Sequence, residues 1–215
     1  PKIGDLYTFE DGSKGVICYI SSDRTSGWAT ALNDLPGVYP LATKYNLDGN
    51  GVFFGTVSMK DYMSYIVSDG YLKTQRYREK GTSPAANAVD FDNGWYIPSP
   101  YQMKTIYSER KYIENELQNN GGSWLNFNDS ISYWTSSCDK FYVSLLVDGS
   151  LFKEDYDNYT NEYRIRPVRN IEFDHYNLIA KVNNSESGYV VGGGSYFPNK
   201  TATITAQPKE HCSFV

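Results

Sequence analysis

GWYIPSPYQM, residues 94–103, constrains the fold more than any other stretch of this chain. An apolar run ends at Ile97, is cut by Pro98-Ser99-Pro100, and restarts with a helical period. Ser99 is placed to cap a helix. Pro100 falls at the first helical position, where its missing N–H costs nothing, and Gln102 completes a capping box. A strand end is thus expected to be fastened directly to a helix start. Met103, Ile106 and Tyr107 share one face of that helix. A further turn and helix over RKYIENELQ carries Tyr112, Ile113, Glu116 and Leu117 and stops at Asn119-Asn120-Gly121-Gly122.

Before this joint the chain reads as short strands. LYTF and GVICYI flank Asp11-Gly12 in a hairpin pattern. SGWATALNDL shows Trp28, Ala31, Leu32 and Leu35 at helical spacing behind Ser26 and is expected to be a short helix. NLDGNG (46–51) places Asn46, Asp48 and Asn50 at alternate positions, but the twelfth position of a calcium loop would be Val57, so a turn is expected. SMKDYMSYIVSDG (58–70) predicts a helix capped by Ser58 and stopped by Gly70. KGTSPAANAVDFDNG reads as loop.

After residue 123 the pattern returns to β. SYWTSS is a strand candidate, and FYVSLLVDGSLFKED is a hairpin about Asp148-Gly149. YRIRPV (163–168) is a closing strand. KEDYDNYTNEY between the last two has neither helical nor alternating pattern and reads as a surface loop. From about Asp174 short alternating segments with Gly192-Gly193-Gly194 form a separate, small all-β unit.

Composition narrows the function. The 215 residues are 40% hydrophobic, 16% aromatic and 21% charged, which suits a folded domain with a real core. No apolar run approaches the roughly 20 residues of a membrane helix. The net charge of −5, with no Lys/Arg cluster, argues against nucleic acid. Cys18, Cys138 and Cys212 are widely spaced, giving neither a disulfide framework nor a metal pair, and buried free thiols are expected. His175 and His211 lack partners at metal-ligand spacing, so no metal and no cofactor is expected. Twenty tyrosines stand out, because Tyr combines a rigid contact surface with a polar tip and is enriched where proteins bind ligands.

Gly94 to Ser99, Tyr133 to Ser137, Asp148-Gly149 and Arg164 to Val168 together resemble a family pattern. They are similar to the domain at the C-terminus of a bacterial collagen-like adhesin and, more broadly, to C-type-lectin-like domains, a fold group that includes the formylglycine-generating enzyme. The likeness covers roughly residues 60–170. Gly188 to Tyr196 and Thr201 to Pro208 resemble the start of an internalin-type B-repeat. The resemblance implies an α+β fold: a C-type-lectin-like domain over 1–172, with two or more helices and a terminal antiparallel β-meander, followed by a partial B-repeat-like β module over 173–215.

The resemblance further implies a bacterial adhesin-like, ligand-binding module that is secreted or displayed at the cell surface. Its ligand face would be the terminal β region and its loop: Tyr142, Asp155, Tyr156, Asp157, Asn158, Tyr159 and Asn161. Carbohydrate and a host or bacterial surface protein are both open as ligands, and the calcium-dependent sugar motifs Glu-Pro-Asn and Trp-Asn-Asp are absent. A non-binding architectural spacer is the second reading. An enzyme is not expected: formylglycine-generating chemistry needs paired cysteines where this region has Cys138. No pattern selects a glycosidase pair from 25 acidic residues, and nucleophile-elbow, phosphate-loop and zinc motifs are missing.

Overall fold

The computed structural model describes residues 1–43, 70–125, 132–138, 142–147, 150–155, 160–174, 176–196, 198 and 200–213. They divide into two compact units. One combines Pro1–Ile20 with Trp28–Asn170, the other Ser21–Gly27 with Ile171–Val215. The architecture is α+β, with helices and antiparallel ladders in one chain.

The first unit is built on a five-stranded sheet in the order β1-β2-β3-β10-β5, from β1 (Leu6–Thr8), β2 (Lys14–Ile20), β3 (Ser26–Ala31), β5 (Trp95–Tyr96) and β10 (Val168–Glu172). The expected β1–β2 hairpin is present, pairing Leu6 with Val16 and Thr8 with Lys14. Gly12 supplies the left-handed backbone its turn needs, at φ 81°. β3 corrects the helix expected at SGWATALNDL. It lies between β2 and β10, and Trp28, Ala29 and Thr30 are all buried. A strand covered on both faces shows no alternation, so its apolar residues fell by chance at helical spacing.

The joint at residues 94–103 forms as its sequence dictates. Helix α3 (Pro100–Asn119) begins with the full capping box. The Ser99 hydroxyl accepts from the Gln102 N–H at 3.2 Å, and Gln102 Oε1 accepts from the Ser99 N–H at 2.9 Å. Gln102 Nε2 also donates to the Tyr96 hydroxyl at 2.8 Å, tying cap to strand. Beyond β5, the Ile97 N–H donates to the Thr74 hydroxyl at 3.1 Å, so the backbone leaving the sheet stays satisfied.

α3 runs unbroken to Asn119, where a turn and a second helix were expected. Met103, Ile106, Ile113 and Leu117 are fully buried along one stripe, and this shared face keeps the helix continuous through polar SERK. It packs on β2 in a core with Val16, Cys18, Trp28, Tyr133 and Val168. The turn at Asn120-Gly121 ends it, with Gly121 at φ 71°.

Two further helices precede the joint: α1 (Gly70–Lys80) and α2 (Pro84–Ala88). Gly70 begins α1, where a stop was expected. A Cβ there would lie 2.7 Å from the Ile97 carbonyl, so the glycine is explained by close approach of backbones. The helix expected over 58–69 and the turn at 46–51 lie outside the described residues. α2 interrupts the segment read as loop; Ser83 caps it by accepting from the Ala86 N–H at 3.1 Å, with Pro84 following, the same Ser-Pro grammar as at residue 99.

β6 (Tyr133–Cys138), β7 (Tyr142–Val147) and β8 (Ser150–Asp155) form a three-stranded antiparallel sheet. Val147 pairs with Ser150, the register expected about Asp148-Gly149. β4 (Tyr39–Pro40) pairs with β9 (Glu162–Tyr163). YRIRPV is therefore not one strand: β9 ends at Tyr163, Arg164 bridges to Tyr133, residues 165–167 are irregular, and β10 starts at Val168. Pro167 has no N–H to donate, and its carbonyl instead accepts from the Ala31 N–H at 2.9 Å.

In the second unit, β11 (Tyr176–Leu178) pairs with β13 (Gly194–Tyr196), and β12 (Gly188–Val191) pairs with β14 (Thr205–Pro208). It also takes in the turn at Ser21–Gly27, which the Ser21 N–H closes by donating to the Ser26 carbonyl, while the Phe173 N–H donates to the Thr25 carbonyl and so joins distant parts of the sequence.

Candidate functional site

The ligand face expected from the sequence falls at the end of the β7–β8 hairpin and on the chain that returns from it. Tyr142 and Asp155 are direct cross-strand partners, the last pair of the ladder. Residues 156–159, which carry Tyr156, Asp157, Asn158 and Tyr159, lie outside the described residues. Asn161 is exposed beyond them, and its amide donates to the Tyr163 hydroxyl at 3.0 Å. Both ends of the segment are therefore held: one by the six-pair ladder of β7 with β8, the other by the pairing of Tyr163 with Tyr39.

The return strand rests on an aromatic base. The Tyr163 ring meets the Trp134 ring edge-on at 4.7 Å, and the fully buried Trp134 donates its indole N–H to the Tyr39 carbonyl at 2.6 Å. A buried indole with its one donor satisfied fixes the height of both short strands.

On the Tyr133 side the same strand is fixed by charge. Asp34 accepts from three groups: Arg166 Nε at 2.6 Å, the Tyr133 hydroxyl at 3.0 Å and Arg164 Nη1 at 3.3 Å. Arg166 is wholly buried, and every nitrogen of its guanidinium is used. Nη1 donates to the carbonyls of Ala31 and Leu32, and Nη2 to Ser123 and the Trp124 carbonyl. One side chain therefore joins the exit of β3, the segment after α3 and the return strand. Arg164 is held more loosely and keeps 40% of its side chain exposed.

Sequence reasoning missed Asp34, Tyr39, Trp134 and Tyr163. A signal existed for Asp34: two arginines at alternate positions in an otherwise apolar finish imply a buried cation, which requires a carboxylate somewhere in the chain. Nothing in the sequence says which of 25 acids it is.

A second fixed cation stands on β10 of the five-stranded sheet. The Arg169 guanidinium sits 4.0 Å over the Phe9 ring and donates to Asp11 at 2.8 Å. The Ser13 hydroxyl first, and then Arg169, hold the Asp11 carboxyl below its ordinary range, although partial desolvation opposes them.

The thiols divide. Cys18 is buried, and burial pushes its pKa far upward, whereas Cys212 is exposed, contrary to the buried state expected of it. His211 is exposed as well. Among the described residues no group of three or more His, Cys, Asp or Glu is placed to hold a metal ion, and no helix is long and apolar enough to cross a membrane. No protein-family model and no curated protein matches the chain.

Proposed function

We propose that this chain is a ligand-binding module of a bacterial cell-surface or secreted protein, adhesin-like in role, with a C-type-lectin-like first domain. It uses the terminal β region and the loop between β8 and β9 to hold a carbohydrate or a surface protein. The observation that supports this reading most is the way the loop is carried. Asp155 at one end pairs with Tyr142 in a regular ladder, and Asn161 at the other lies beside Tyr163, itself paired with Tyr39 and seated on Trp134. Flanking residues already fixed on ladders lose little further entropy when a ligand is engaged, which supports binding by the polar, tyrosine-bearing sequence between them. The role is proposed as binding without catalysis.

The experiment is a screen of the purified chain against glycan and extracellular-matrix protein arrays, with and without calcium, beside a Tyr156→Ala/Tyr159→Ala variant. A specific hit lost in the variant supports the binding module. Absence of any hit favours the spacer role.

A further inference from the structure

Past Phe173 the second unit buries none of its described residues, and Tyr176, Ile179, Tyr189, Val191 and Ile204 stand exposed. The ladder of β12 with β14 is four pairs long and has no further strand on either side among the described residues. Two strands alone are marginal in water, so an outer edge of this ladder is where a partner strand would add stability.

The two edges differ. The Lys209 N–H donates to the Ser187 carbonyl, in the same register that pairs Gly188 with Pro208. Inward and outward backbone groups alternate along an antiparallel ladder, so Tyr189 and Val191 bond to β14 while Gly188 and Val190 turn their N–H and C=O groups outward. On β14 an outward position falls on Pro208, which has no N–H, and the exposed Lys209 follows it. Proline and lysine are devices that keep an edge from pairing. β12, GYVV, carries neither and has no charge.

We propose that β12 pairs antiparallel with β12 of a second copy, about a two-fold axis at Tyr189. In that register Gly188 exchanges both backbone bonds with Val190 of the other copy, and Val190 does the same with Gly188. Every outward group of the two strands is then used. Tyr189 meets Tyr189 across the axis in a non-hydrogen-bonded pair, where cross-strand side chains come closest and aromatic pairs stabilise a sheet. Its hydroxyl is already steadied by Gln207 on the neighbouring strand. A second copy is favoured over another kind of strand because β12 is itself the neutral strand the edge calls for, and because the pairing closes. The sheet β14-β12-β12-β14 ends on two guarded edges. The inference concerns the second unit and is independent of the binding-module reading.

The test follows the intact chain over a wide concentration range by sedimentation velocity and by hydrogen exchange of single amides. The expected result is a reversible dimer. The Gly188 and Val190 amides should gain protection only as the dimer fills, while those of Tyr189 and Val191, bonded to β14, stay protected throughout. Tyr189→Lys sets like charges at the axis and should weaken the dimer by about fivefold or more. An equal mixture of Tyr189→Lys and Tyr189→Glu should recover association as a mixed dimer. Protection at residues 189 and 191 in dilute solution checks that each variant keeps its ladder with β14. A chain that stays monomeric, a dimer whose Gly188 and Val190 amides exchange as in the monomer, or a dimer indifferent to both charge variants would each overturn the inference. Protection of those two amides in a strict monomer would assign the edge to another segment and overturn it as well.

Discussion

Arg166 Nε lies 2.6 Å from Asp34 Oδ1, across 132 positions of sequence, in a site where the arginine side chain is wholly buried. The pair closes the first unit: it fastens the end of the chain's β-rich half to the segment leaving β3. A buried cation is tolerated here because its guanidinium is fully hydrogen-bonded and its charge is met by a carboxylate.

Arg166→Met is therefore expected to destabilise the fold by about 3–5 kcal/mol, because Asp34 would remain buried with its strongest partner gone. Arg164→Met, at a half-exposed pair, should cost only about 1 kcal/mol or less. Urea unfolding of both variants measures the contrast, and similar losses would contradict the division of labour between them.

The capping box predicts a smaller effect. Ser99→Ala should lower stability by about 1 kcal/mol through loss of the bond to the Gln102 N–H. Gln102→Ala should cost more than Ser99→Ala, since it also strips the Tyr96 hydroxyl of a donor. Thermal melts of the two single variants test that order.

Thiol reactivity should separate the cysteines. In a Cys138→Ser background, a disulfide reagent at pH 8 is expected to modify one thiol of the native protein quickly, Cys212, and a second, Cys18, only after denaturant is added. Rapid modification of two thiols without denaturant would show that Cys18 is reachable.

Asp11 gives a pH dependence whose sign is fixed. Its folded carboxyl is held below the unfolded value by Ser13 and Arg169, so its contribution is complete above the unfolded pKa of about 3.9. It is lost as pH falls through the depressed folded value. Asp11→Asn should therefore be less stable than the parent at pH 7, and the gap should close below about pH 4. A gap that stays constant from pH 7 to pH 2.5 would remove the charge from the explanation.

What could be read from the sequence was local chemistry. Ser99, Pro100 and Gln102 dictated a helix start because their bonds are made within four residues, and the turn at Asp11-Gly12 and the hairpin register that pairs Val147 with Ser150 were both expected from short-range sequence. The same local grammar stands at Ser83-Pro84, which starts α2. What only the tertiary structure decided depended on partners far away. β3 is a strand because β2 and β10 pair along both its edges, residue 70 is glycine because the Ile97 carbonyl comes close, and α3 is continuous because one core covers its whole stripe. Asp34 was one acid among many until folding brought Arg164 and Arg166 to it. Local bonds are encoded by neighbours in the chain; burial and charge pairing depend on neighbours in space, which spacing along one sequence does not reveal.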